Sequence, residues 1–281
     1  MPIYEQTYRR YEARAPLRKV RFWPITREAL RLILARRWFL GLLALGWLPF
    51  LVRVIHIYVV TRFPEANRVL PVDGRLFGQF LSQQLVPVLF VTIFAGAGLV
   101  ANDLRTGAVL VYLSRPLTRR DYVAGKLLVV LLLNLFLTLV PALLLYLIAL
   151  ALAPDQFLKW ELAWIGPAIA LYALVLSAVL GLLMLAVSSL SRSARVAGLG
   201  FFGLLMGLQT VHTILREAFD RPEAAVLSIA TNIQSIGRAL FGTAERTATV
   251  PWPWAALALV ALGAGCLAVL RSRVRAVEIV T

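Results

Sequence analysis

The sequence predicts an all-α membrane protein with six transmembrane helices, both termini in the cytoplasm and an N-terminal amphipathic helix lying in the membrane interface. Three observations predict it. First, 60% of the 281 residues are hydrophobic and only 15% are charged, with a mean hydropathy of +0.80. A soluble domain carries about 45–50% apolar and about 25% charged residues, so this chain has too few polar side chains to cover a water-facing surface. Second, six stretches reach the length of about 20 mostly apolar residues that crosses a bilayer. Third, the basic residues fall unevenly between the segments that join those stretches.

The six stretches run Trp38–Val60, Gln79–Val100, Leu127–Leu152, Ala163–Leu190, Val196–Leu215 and Trp252–Leu270. Pro49, Pro141 and Pro167 fall inside them, where lipid-embedded helices accommodate a kink. The first stretch begins 37 residues in and lacks the small-residue cleavage pattern of a signal peptide. Of the 29 Lys and Arg residues, 20 lie in segments 1–37, 101–126, 191–195 and 271–281, and eight lie in segments 61–78, 153–162 and 216–251; Arg53 sits within the first span. With the acids counted, the first set nets +14 and the second nets zero. The positive-inside rule therefore puts both termini in the cytoplasm, in keeping with an even number of spans. The organisation read from this is a basic leader and interfacial helix over 1–37, a six-helix domain over 38–271 and a cytoplasmic tail over 272–281.

The leader interleaves Tyr4, Tyr8, Tyr11, Phe22 and Trp23 with basic residues. After Pro24, Thr26 is placed to cap a helix over Arg27–Arg37. Leu30, Ile33 and Leu34 share one side of it and Arg27 and Arg31 another, which suits aromatic rings at headgroup depth and arginines on anionic lipid. The net charge of +15 and the pI near 11.1 would suggest nucleic acid in a soluble chain. Here they read as membrane orientation and contact with lipid, and no nucleic-acid partner is expected. A single cysteine, Cys266, and two histidines, His56 and His212, exclude a disulfide framework and give no set of metal ligands.

The most informative connection is Ala101–Lys126. Two antiparallel spans need only a handful of residues between them. This segment has its own apolar set, Leu104, Val109, Leu110, Val111, Tyr112 and Leu113, a break at Pro116 flanked by arginines, and Asp121 placed to cap the turn into a third span that opens near Gly125-Lys126. It is a surface built to meet a partner.

In this segment the chain resembles the permease subunits of ABC transporters of the ABC-2 type. The matching residues are Asp103, where many members carry Glu, then Gly107, Leu113-Ser114-Arg115-Pro116, Arg119-Arg120 and Gly125-Lys126. The tail Arg273–Glu278 is similar to tails of bacterial members, and six spans with both ends inside cover nearly the whole chain. The resemblance implies a bacterial inner-membrane protein that pairs with a second permease copy or a homologous permease. It also implies docking on a separate ABC ATPase through the first internal loop, with Asp103, Gly107, Leu110, Leu113, Arg115, Pro116 and Arg119 in the coupling element. ATP and Mg²⁺ would belong to that partner. The chain has no GxxxxGK[ST] phosphate cradle, and its one Gly-Lys pair runs into a span.

Polar residues at membrane depth are the remaining candidates. Arg53 and His56 share a face near the outer end of the first span, suited to snorkelling, to a helix–helix contact or to lining a substrate path. Gln79, Gln83 and Gln84 open the second span, and Asn134 and Thr138 share a face of the third; interhelical hydrogen bonding is the expected role for both sets. Gln209 and His212 lie near the outer end of the fifth span, where a lone histidine is expected to be a satisfied packing residue. Gly203 and Gly207 form a GxxxG spacing suited to close helix packing, within the chain or across a dimer. Segment 216–250 exceeds a simple connection, and Ala224–Ile236 reads as a helix on or in the outer leaflet. Trp252 and Trp254 mark the outer interface.

These features separate four functions. A permease driven by a separate ATPase fits all of them. A non-transporting scaffold that passes ATPase work to an envelope machine fits the same features and stands as the alternative. A membrane enzyme would need paired carboxylates or a nucleophile with a base, and the sequence has no DDxxD, HExxH or GxSxG. A channel or secondary transporter coupled to cations or protons would place acids within its spans, and none of the six stretches contains one.

Overall fold

The computed structural model describes residues 22–63, 73–108, 118–152, 163–219, 222–243 and 250–273. Among the described residues the regular elements are all helical. Of ten α-helices and one 3₁₀ segment among these residues, eight helices build six spans, at 37–62, 74–106, 119–152, 165–190, 194–219 and 252–273, each long and apolar enough to cross a bilayer.

The first two spans are each broken. Helix α2 (Arg37–Gly46) ends where α3 (Leu48–Arg62) begins, with Pro49 in the first turn of α3, where its missing N–H breaks no helical bond. Helix α4 (Gly74–Gln83) passes through Gln84 into α5 (Leu85–Thr106). The side chain of Asp73 caps α4, accepting from the backbone N–H of Arg75 at 2.9 Å. Helix α5 ends in Gly107, whose φ of 70° is the left-handed cap glycine accommodates. The third span, α6 (Arg119–Leu152), runs 34 residues and carries a buried Pro141 without a break. Helix α7 (Ile165–Leu190) forms the fourth span; Pro167 belongs to its first turn rather than its interior, so no kink is required there. The fifth span is α8 (Ala194–Phe219). A 3₁₀ turn (Pro222–Leu227) leads to α9 (Ile229–Leu240), and α10 (Trp252–Arg273) is the sixth span.

Helix α7 is the hub, packing against α5, α6, α8 and α10. Small residues set how closely. A Cβ on Gly96 of α5 would come within 2.5 Å of the Met184 side chain, and one on Gly181 of α7 within 3.1 Å of Leu127. Ser188 of α7 donates to the carbonyl of Ala97 at 2.8 Å and accepts from the N–H of Ala101 at 3.0 Å. The first, fifth and sixth spans bury far less of themselves, and residues such as Val52, Ile55, Leu199 and Val260 point outward. In water such a surface would be untenable; in lipid it is the solvent-facing side of the fold.

Three local expectations are corrected. The N-terminal helix α1 spans Trp23–Leu34, so it starts a turn before Arg27 and stops before Arg37. Thr26 is therefore not a cap but lies inside the helix, with Pro24 supplying the preset φ of the first turn. The third span opens at Arg119, well before Gly125-Lys126. Thr118 and Asp121 form a reciprocal capping box there: the Thr118 N–H and hydroxyl donate to the Asp121 carboxylate at 3.0 and 2.8 Å, and the Asp121 N–H donates back to the Thr118 hydroxyl at 3.2 Å. Finally, the outer helix is not continuous over Ala224–Ile236. Ser228 interrupts it and caps α9, accepting from the Thr231 N–H at 3.1 Å.

Candidate coupling site

The connections after α5 and α7 lie at one end of the bundle, together with α1; those after α3, α6 and α8 lie at the other, together with α9. The base of the 101–126 loop is built at the α1 end. Asp103, in the last turn of α5, meets Lys126 of α6 at 2.8 Å. The Tyr122 hydroxyl, one turn before Lys126, donates to the same carboxylate at 2.8 Å. Tyr122 is wholly buried, and the Lys126 and Asp103 side chains are only 6% and 16% exposed. The Lys126 ammonium also stands 5.7 Å from the centre of the Tyr122 ring, within cation–π range. A buried ion pair stands only when both charges find partners, and here the tyrosine supplies the additional donor. The result is a tie between the two helices that carry the loop.

The neighbouring Gly125 ties in a third helix. Its missing Cβ would lie 3.1 Å from the Phe22 carbonyl and 3.2 Å from Ile25, so any larger residue would push α1 a few tenths of an ångström away from α6. The Thr26 hydroxyl crosses the gap and donates to the Gly125 carbonyl at 2.9 Å. Helix α1 thus buries Ile25, Thr26 and Ile33 and turns Arg27, Glu28 and Arg31 outward. Asp103, Gly125 and Lys126 all belong to the motif that carried the resemblance, and the fold assembles them in one cluster.

Gly107 ends α5 directly below the loop, with open space around the position of its Cβ. Arg119 and Arg120 are exposed in the first turn of α6. They stand at the positive end of the helix dipole, which disfavours cations, so local helix stability does not account for them. Leu110, Leu113, Arg115 and Pro116 lie outside the described residues.

The intramembrane candidates divide. Asn134 and Thr92 bond to each other between α6 and α5, at 2.9 and 3.2 Å, and Thr138 donates to the Asn134 carbonyl at 2.8 Å. This is bundle packing, as expected. Gln84 likewise donates to the Gly46 carbonyl at 3.1 Å, bracing the break in the first span. Arg53 donates to Gln79 of α4 at 3.5 Å, a helix–helix contact, and His56 lies half-buried one turn on. Gln83 is exposed and lines a polar recess. Gln209 accepts from the Ser228 hydroxyl and so fixes the start of α9. His212 departs from expectation: it is buried at 5% exposure, and neither ring nitrogen has a hydrogen-bond partner among the described residues. Among the described residues the Gly203 and Gly207 face meets nothing within 4 Å, so it makes no close helix contact with them.

Sequence reasoning missed two things. The Asp103–Lys126 pair bridges the two ends of a long loop, and no periodicity links them. The cleft between α4 and α9 joins residues that are remote in sequence. The signal available for both was the rarity of ionisable residues at span ends.

No curated protein matches this sequence. A family model described as ABC-2 family transporter protein matches residues 23–241, from the start of α1 to the end of α9. That interval takes in the loop base, five of the six spans and most of the chain. The chain therefore belongs to the ABC-2 family of transporter proteins, as a multi-pass permease.

Proposed function

We propose that this permease is one subunit of an ATP-driven exporter in a bacterial inner membrane. It pairs with a second permease copy or a homologous permease and docks on a separate cytoplasmic ATPase, which holds ATP and Mg²⁺. Segment 101–126 is the docking element. The observation that carries this reading is the Asp103–Tyr122–Lys126 tie, with α1 fastened to the same place through Gly125. A loop that receives force needs a stiff base, and this one is joined to two spans and to α1. Charge supports the sidedness, because the α1 end carries the segments that net +14. The open Gly203/Gly207 face and the outward apolar surfaces of the first and fifth spans support pairing of permeases. The acid-free apolar stretches within the spans suit an apolar or amphipathic cargo.

The test has two readouts. Purified alone, the chain hydrolyses no ATP, while from its native membrane it copurifies with an ATPase carrying a phosphate-cradling loop. Robust hydrolysis by the chain alone, with contaminating ATPases excluded, overturns the proposal. For sidedness, a cysteine at Asp155 in a Cys266→Ala background reacts with an impermeant thiol reagent added outside intact cells, and one at Thr118 does not. The opposite labelling reverses the topology and removes segment 101–126 from the ATPase.

A further inference from the structure

At the end opposite α1, helices α4 and α9 enclose a cavity of about 660 Å³. Its polar lining includes Arg75, Gln79 and Gln83 from α4 and Gln234 and Arg238 from α9, with Thr243 just beyond. No Asp or Glu lines it among the described residues. Gly78 and Gly237 also line it, each packed so closely that a Cβ would meet Phe241 at 3.2 Å or Tyr172 at 2.6 Å, and the chain turns beside it at Gly242, where φ is 65°.

A second cavity of about 180 Å³ adjoins it, sharing Gln234 and Arg238. His212 and Arg216 line this one, with Glu217 as its one acid among the described residues. His212 is the independent sign of a ligand. A buried polar group without a partner costs on the order of 1–3 kcal/mol, and such groups are rare enough to need a reason. Here a buried imidazole, with neither nitrogen partnered among the described residues, borders a recess lined by guanidinium and amide groups.

The chemistry is that of an anion site. Arginine offers a fixed fork of N–H donors matched to phosphate and carboxylate oxygens. Three arginines against one glutamate leave the joined recess cationic, and the glutamines add neutral donors. The volume exceeds a bare phosphate and fits a phosphate carrying a small polar group. The first span touches the recess through one lining residue. Arg53 of the first span reaches Gln79 at 3.5 Å, and beside it Val52 and Ile55 lie open on the lipid-facing side of α3.

We infer that this recess binds the phosphate-bearing headgroup of an anionic amphiphile, with Arg75 and Arg238 gripping the phosphate and His212 bonding to its polar substituent. The acyl chains stay in the bilayer along α3. As a cargo-recognition site the recess rests on the transport reading; as an anion site it does not.

The experiment uses the full chain without ATPase, so its failure and the failure of ATPase docking are distinguishable. The chain is placed in phosphatidylcholine nanodiscs containing one-tenth phosphatidylglycerol, and retained lipid is read by native mass spectrometry. Wild type retains phosphatidylglycerol. Arg75→Gln/Arg238→Gln binds it about tenfold or more weakly, while Arg192→Gln/Arg195→Gln, exposed where α7 passes into α8 at the other end of the bundle, retains it as wild type does. Arg75→Lys/Arg238→Lys, which keeps the charge, retains part of the binding and shows that loss in the Gln variant is not misfolding. Glycerol phosphate and inorganic phosphate are titrated as competitors. Displacement by millimolar amounts of either supports the site and assigns it to soluble phosphates; no displacement supports it and assigns it to lipid. Equal retention by wild type and the Arg75→Gln/Arg238→Gln variant, or no retention by wild type and no binding of either competitor, overturns the inference.

Discussion

Asp103→Leu is expected to destabilise the protein by about 3–5 kcal/mol, because it leaves the Lys126 ammonium buried without its counter-charge. The same change removes the carboxylate to which the buried Tyr122 hydroxyl donates at 2.8 Å. Lys126 cannot reach water easily, with its side chain only 6% exposed. Asp103→Asn should be milder, since a carboxamide still accepts from Tyr122 and from the ammonium. The double variant Asp103→Leu/Lys126→Met should recover most of the loss, because replacing both members of a buried pair by apolar groups of similar volume is often close to neutral. Thermal unfolding of the four proteins in one detergent gives the comparison. If Asp103→Leu melts like wild type, the pair does not hold the loop base. A restored double variant that nonetheless fails to stimulate the ATPase would show that the pair carries coupling and not stability alone.

The second large effect belongs to the loop. Replacing Leu110 and Leu113 together with Asp should abolish recovery of the ATPase with the permease, a loss of tenfold or more, while the variant still inserts in the membrane. On the proposed reading the apolar residues of this segment enter a groove on the ATPase, and a few buried aliphatic anchors carry most of the affinity of such a contact. Two carboxylates in their place would be desolvated without partners. Arg119→Ala alone should change binding little, since an exposed ion pair contributes about 0–1 kcal/mol. Copurified ATPase and its hydrolysis rate, measured for each variant beside wild type, separate these outcomes. Normal binding and stimulation in the double Asp variant would move the docking surface elsewhere, with α1 as the next candidate.

The spans were legible in the sequence because length and hydropathy are properties of a continuous segment, and the bilayer sets a minimum for both. Their ends were not. The stretch opening the third span was placed near Gly125-Lys126 because polar residues precede it, yet Thr118 and Asp121 carry the helix back to Arg119 by satisfying its free N–H groups. Thr26 read as a cap from its position after Pro24. It lies inside α1 because its hydroxyl has a better use, crossing to the Gly125 carbonyl on another helix. Asn134 was read correctly as bundle glue, since a neutral amide deep in a span has few other satisfactory outcomes. His212 was not, because whether a histidine is satisfied depends on α8, α9 and the space between them. That Asp103, Gly125 and Lys126 form one cluster with α1 is a tertiary fact, which no spacing within the loop motif carries.

The central claim is that segment 101–126 is where the ATPase acts. A photo-crosslinking residue at Leu113, activated in native membranes, tests it most directly, with the same residue at Arg31 and Thr243 for comparison. The account predicts an adduct with the ATPase from position 113 and none from position 243. An adduct from position 243, or one from position 31 with none from position 113, would contradict it.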